Sequence, residues 1–200
     1  MLKGGNSMDI QGLANGKIDI TMNKNYLEPL IDLRVDNIVI NKEKIGNLVV
    51  NAKNSTIPNV FDIDANLVSE GIIGNNNLAL KGTIDNNTSS PTLDLKANMQ
   101  DFDLAFTNQF VTGIFSNMRG KANGVLSISG TLKDIDYSGD IALNKFGLKL
   151  DFTGVDYSFD DTVIQLSKGL AILNNIEVKD GRNYSHGTIG MYKLLENFQR

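Results

Sequence analysis

Strict two-residue alternation, recurring along most of the chain, limits more than any other feature what this sequence can fold into. In TLDLKANM, Leu93, Leu95, Ala97 and Met99 share one parity while Asp94, Lys96 and Asn98 share the other. FDIDANL divides the same way, with Phe61, Ile63, Ala65 and Leu67 set against Asp62, Asp64 and Asn66. Successive side chains of a strand point to opposite faces, so each segment specifies a strand with one oily and one wet face. An antiparallel sheet has this pattern, whereas a parallel sheet buried on both faces reads as unbroken apolar runs. Comparable alternation marks KIDITM (17–22), IDLRV (31–35), NIVIN (37–41), NLALKGTI (77–84), VLSISGTL (125–132), DIALN (140–144), FGLKLDF (146–152), VDYSFD (155–160) and IEV (176–178). We expect roughly eleven to fourteen strands.

Composition agrees. The 19 Gly against 3 Pro, with abundant Asn, suit strands joined by tight turns, because Gly and Asn accept positive φ at little cost. Two hundred residues suit a single domain, 1–200. A net charge of −4 with singly scattered Lys and Arg argues against a nucleic-acid surface. The absence of Cys removes disulfides, thiolate catalysis and cysteine metal sites. The start, MLKGGNSMDI, lacks an apolar run of signal-peptide length, and the alternation begins almost at once. The end, MYKLLENFQR, stops without a terminating turn, so we expect a fragment of a longer chain.

Two local irregularities carry expectations of their own. At Asp36-Asn37 the odd-numbered Ile31, Leu33 and Val35 give way to the even-numbered Ile38 and Ile40, which calls for a bulge or bend. Over 105–118 the spacing of Phe106, Phe110, Val111, Ile114, Phe115 and Met118 is helical, with Thr107 or Asn108 as a cap, and predicts one amphipathic helix over 107–117. Its polar face has almost no Lys or Arg, which favours packing on the sheet over lying on a membrane. One phrase is also written twice: LALKGTIDNNTSSPTLDL (78–95) and LSISGTLKDIDYSGDIAL (126–143) match in frame at their apolar and Gly-Thr positions. GLANGKIDI (12–20) and GKANGVLSI (120–128) echo each other more faintly.

The oily face of so many strands must be covered. A helix of this length, about 16 Å, covers only part of a dozen strands spaced about 4.8 Å apart. The sheet must therefore fold on itself as a sandwich, a barrel or a U-shaped trough, and only a trough leaves an apolar channel for something else.

Catalytic patterns are weak, and we expect no enzyme. His186 has no second His or Cys to complete a metal site or triad. DIDAN (62–66) starts like a calcium loop, but Leu67 and Ile73 stand where Gly and Glu belong, and the run is better explained as the wet face of a strand. Asp101 with Asp103, or Asp160 with Asp161, would be acid-base pairs only if shielded from solvent. Asn54, Asn86, Asn87 and Asn183 open formal glycosylation triplets of the kind that turn-rich sequences produce by accident. No cofactor motif occurs.

From residue 120 a resemblance appears. GKANGVLSISGTLKDIDYSGDIALNKFGLKLDFTGVDYSFDDTVIQL (120–166) and NIEVKDGRNYSHGTIG (175–190) carry Gly120, Gly124, Gly130 and Gly139, the Val155–Phe159 segment and an Asp180-Gly181 turn leading to Gly187-Thr-Ile-Gly190. Over about 100–190 the chain resembles the C-terminal region of the TamB family, a subunit of the translocation and assembly module, in its Bacteroidetes forms. DFDLAF with the expected helix fits too, since a short apolar helix commonly precedes the G-x-x-x-G-x-L stretch in that family.

The resemblance implies a long periplasmic cell-envelope protein, anchored in the inner membrane by a segment outside this fragment. Its antiparallel sheet would be bent into a taco-like, AsmA-like groove, with a closed β-sandwich as the alternative. It implies partnership with an outer-membrane barrel of the Omp85 type, and a role in outer-membrane biogenesis through passage of phospholipid or nascent outer-membrane protein. No cofactor and no nucleic acid are implied. Cargo would lie along Phe61, Ile63, Leu93, Leu95, Met99 and Leu126, continuing over Ile128, Ile141, Leu143, Leu148, Leu150 and Phe152. The competing reading is a structural or adhesive cell-surface β-domain. Strand addition at an exposed sheet edge is a further possible use.

Overall fold

In the computed structural model, which describes residues 9–23, 26–71, 74–109, 111, 113–131, 133–180 and 184–192, the chain is one large antiparallel sheet that does not close into a barrel. The strands are β1 (Ile10–Asn23), β2 (Tyr26–Ile40), β3 (Glu43–Asn54), β4 (Val60–Gly71), β5 (Gly74–Asp85) and β6 (Thr92–Asp103). They continue with β7 (Phe115–Thr131), β8 (Asp134–Leu150), β9 (Val155–Phe159), β10 (Thr162–Ser167), β11 (Leu170–Lys179) and β12 (Tyr184–Tyr192). Neighbours in sequence pair in space, with one variation. β9 and β10 both pair with β8 on one side and β11 on the other, so they occupy a single lane broken at 160–161.

The alternation translates into rows that cross the sheet at right angles to the strands. One apolar row runs Ala14, Val35, Leu48, Leu67, Leu78, Met99, Gly124, Ile141, Ile164, Leu173 and Ile189 through eleven lanes. On the opposite face, Lys17, Asp32, Asn51, Asp64, Lys81, Lys96, Ser127, Ser138 and Ser167 form an equally continuous polar row. A one-residue slip anywhere would exchange the two, so the pattern fixes the register of the whole sheet.

The bulge expected at Asp36-Asn37 is present: register shifts between Val35 and Ile38, Asn37 has φ 54°, and Ile38 and Ile40 are buried. The device recurs at Asp101 (φ 51°), Asn117 (φ 53°) and Lys145 (φ 51°). Each is followed by an apolar residue on the inner side, namely Phe102, Met118 and Phe146. A bulge leaves one residue outside the ladder, and its backbone N–H needs another acceptor. At three of the four bulges a nearby side chain supplies it: Asn47 Oδ1 accepts from Asn37 N at 2.9 Å, Asn123 Oδ1 from Asp101 N at 2.9 Å, and Asp161 Oδ1 from Lys145 N at 3.0 Å.

Among the described residues the helix expected over 107–117 is not formed. A 3₁₀ turn occupies Leu104–Gln109, and β7 begins at Phe115. Phe115 and Met118 are three apart because the Asn117 bulge inserts one residue between two inward positions, which imitates helical spacing. The Asp103 carboxylate accepts from Ala105 N at 2.9 Å, and Thr107 Oγ1 donates to Leu104 O at 2.6 Å, local bonds that compete with a helix. Asn108 finally pairs with the Met118 backbone in both directions, at 2.7 and 3.0 Å, and so acts as a strand partner. Phe110 lies outside the described residues.

The twice-written phrase corresponds to two hairpins, β5–β6 and β7–β8, but not to a structural repeat. The first connection has six residues (86–91) and the second two (132–133), so in-frame positions meet different partners. Leu95 faces Gly82, whereas its counterpart Leu143 faces Ala122. The fainter echo is the faithful one, since Gly16 and Gly124 are extended with left-handed φ of 144° and 149°.

Candidate functional site

The inner face divides into a filled part and an unfilled part. Phe102, Leu104, Ala122, Ile141, Leu143, Phe146, Leu173 and Ile176 form one core cluster, with Met99, Leu126 and Leu148 packed against it. Ile38, Ile40, Ile45 and Leu67 form a second. Phe106, on the 3₁₀ turn, packs against both and stands edge-on to Phe102 at 5.5 Å. The turn therefore covers the end of the sheet where the bulges lie.

Toward the opposite strand ends the cover is uneven: Phe61 and Leu93 are buried there, while other inner residues are half-buried or exposed. The row Ile18, Ile31, Ala52, Ile63, Gly82, Leu95, Ile128 and Tyr137 is apolar from β1 to β8, except for the final tyrosine hydroxyl. Leu95 and Ala52 in it are buried, Ile31, Ile63 and Ile128 are half-buried, and Ile18 is 60% exposed. Leu33, Val50 and Leu80 in the adjacent row are also half-buried. None of these half-buried residues belongs to either core cluster. At β1 the face is open, with Ile10, Ile18 and Ile20 all more than half exposed.

Of the residues expected to line a channel, Phe61, Leu93, Leu95, Ile141 and Leu143 are buried within the protein. Ile63, Met99, Leu126, Ile128, Leu148 and Leu150 are half-buried. Phe152 is a correction: it is 95% exposed in the turn after β8. The alternation that reaches Leu150 ends there because Gly154, with φ 70°, folds its N–H back onto the Leu150 carbonyl at 2.8 Å. Ile18, Ile31, Leu33, Val50 and Leu80 were absent from the expected set, although the parity of KIDITM, IDLRV and NLALKGTI already marked all but Val50.

The carboxylate pairs serve the scaffold. Asp103 pairs with Lys121 at 3.1 Å, and Asp160 with Lys179 at 3.1 Å. Asp161 is held below the usual aspartate range by the Lys145 backbone N–H and then by Asn144. Asp101, Asn123, Asn144 and Asp161 form a line of polar bonds across the bulges, with Asn123 Nδ2 donating to Asp101 Oδ1 at 3.2 Å and to Asn144 Oδ1 at 3.3 Å. In DIDAN, Asp64 lies on the polar face 2.9 Å from Lys81, whose hydrogen bond depresses its pKa. Asp32, Asp62 and Asp64 with Lys53 and Lys81 line a hollow of about 550 Å³ there, open and of mixed charge. His186 pairs through its backbone with Glu177, and Asn183 lies outside the described residues.

Comparison with known proteins returns no matching family model, no curated relative and no similar solved structure. Among the described surfaces the half-covered inner face stands out. Scattered apolar residues on a surface need no explanation, but an ordered field of them spanning β1 to β5 does.

Proposed function

We propose that the chain is a noncatalytic module of a bacterial cell-envelope protein of the TamB kind, with its sheet bent into a U-shaped groove. The groove shields lipid acyl chains, or the apolar side of a nascent outer-membrane β-strand, in transit between membranes. On this reading the full-length protein is periplasmic, anchored in the inner membrane, and works with an Omp85-type barrel in the outer membrane. The observation that carries the proposal is the continuity of the apolar rows beyond the part of the face that the protein fills itself. A row of branched aliphatic side chains offers contact without register, so a hydrocarbon chain can slide along it, while the charged face keeps the module in water.

The experiment is titration of the purified protein with a fluorescent fatty acid, followed by displacement with phospholipid. We expect saturable binding, weakened about tenfold by Ile63→Asp or Leu33→Asp, since a buried apolar contact of about 1.5 kcal/mol is lost and a charge introduced. Phe152→Asp leaves binding unchanged. Absence of saturable binding to the folded protein contradicts lipid cargo.

A further inference from the structure

Among the described residues two side chains pack against both core clusters, Leu78 and Phe106. Leu78 is part of the sheet, between Leu67 of β4 and Met99 of β6 in one crosswise row. Phe106 comes from the 3₁₀ turn Leu104–Gln109, so its ring lies over the inner face from outside the sheet. Two residues along β2, β3 and β5 from the row that carries Leu78, the side chains of Leu33, Val50 and Leu80 are half-buried and in neither cluster. The ring therefore stands where the filled part of the face gives way to the unfilled part.

It is held by different means on its two sides. Toward β6 and β7 the turn is anchored: Leu104 is buried in the first cluster, the Asp103 carboxylate accepts from Ala105 N at 2.9 Å, and Asn108 bonds the Met118 backbone at 2.7 and 3.0 Å. Toward β2 to β4 the ring meets the cluster of Ile38, Ile40, Ile45 and Leu67 through apolar packing, which is non-directional. A single 3₁₀ turn is a short element with poor hydrogen-bond geometry, and Gly113, at φ 90° in open space, gives the chain beyond it slack. We propose that Phe106 is a built-in plug, an intramolecular stand-in for apolar cargo, and that Asn108 is the latch that holds it down. When the turn lifts, the row of Leu48, Leu67 and Leu78 joins the field of Leu33, Val50 and Leu80 beside it. The regulatory role rests on the cargo reading given above, whereas the lifting itself does not.

The chain has no cysteine, so a single thiol reports lifting without any cargo. Leu67→Cys places it in the cluster that the ring covers, and Ala171→Cys places a control at an equally buried position on β11, in neither cluster. Asn108→Ala and Phe106→Ala should each speed alkylation by iodoacetamide at position 67 about tenfold and leave 171 unchanged, because the opening is local. Both variants should also bind fluorescent fatty acid about tenfold more tightly than the parent, since the competent state no longer has to be reached by lifting the ring. A variant that had merely lost stability would bind more weakly. Phe106→Leu, which refills the place, should keep both readouts near those of the parent, and circular dichroism checks that the sheet is intact. Equal alkylation rates at 67 with and without Asn108→Ala, or a fatty-acid affinity unchanged or reduced in both alanine variants, would overturn the proposal. If fatty acid binds neither the parent nor the variants, the lipid reading fails by itself and the rates at 67 decide the plug.

Discussion

At the scale of single residues, the glycines and the bulge caps bear the tightest constraints. Gly82 has φ 149°, and a methyl group there would overlap the carbonyl oxygen of Asp94 on the paired strand. Gly82→Ala should therefore cost about 2 kcal/mol or more in urea unfolding. Gly113→Ala, at φ 90° with nothing nearby, should cost about 1 kcal/mol from backbone strain alone. Asn123 completes the Asp101 bulge, and Asn123→Ala should cost about 1 kcal/mol or less, since water can take over that exposed N–H.

Asp64, Asp156 and Asp161 all titrate below the ordinary aspartate value of 3.8. For Asp156 the largest influence is burial, which raises its pKa, but the bonds from Arg119 and Asn117 and the charges of Arg119 and Lys149 together outweigh it. A carboxylate depressed in the folded state contributes stability that is fully present above its unfolded pKa and lost as pH falls through the folded one. The urea midpoint should thus be unaffected by these groups between pH 5 and 8, within about 10%. It should decline below about pH 4, and less steeply in Asp161→Asn.

At the scale of elements, Arg119 explains how the short β9 is held. Its guanidinium crosses Gly147 on β8 and donates to Asp156 Oδ1 at 2.7 Å, Ser158 Oγ at 2.7 Å and the Tyr157 carbonyl at 3.3 Å. Arg119→Ala should raise amide exchange at 155–159 about tenfold without altering β4 to β6. Gly147→Ala should do the same more weakly, because the added methyl displaces only the end of a flexible side chain.

Strand existence was legible wherever the period held. Segments 31–35 and 37–41 were readable apart, but not as one strand, and so were 140–144 and the 146–150 part of FGLKLDF in β8, because a bulge reverses parity in mid-strand. The alternation does not mark β3, for the related reason that its parity changes at Gly46-Asn47, beside the β2 bulge. The 107–117 segment misled because one inserted residue turns a period of two into a spacing of three. As for the site, the apolar parity marked inward side chains within the strands, but it also assigned Phe152, which lies exposed in the turn after β8. It carried no information on which of them the protein covers itself, since that depends on the 3₁₀ turn and on how distant strands approach.

At the scale of the whole molecule, the sheet is an array of crosswise rows, filled at the bulge end and half-covered from β1 to β5. On the function proposed above, this half-covered field, and not the core beside it, receives apolar cargo. Because the chain lacks cysteine, a polarity-sensitive fluorophore can be attached singly at Leu33 on the inner face or at Asp32 on the outer face. On addition of monomeric phospholipid the emission at position 33 should shift to the blue by about 20 nm while that at 32 stays fixed, since only the inner site would lose water to hydrocarbon. Equal shifts at both positions, or none at 33 at saturating lipid, would contradict the account.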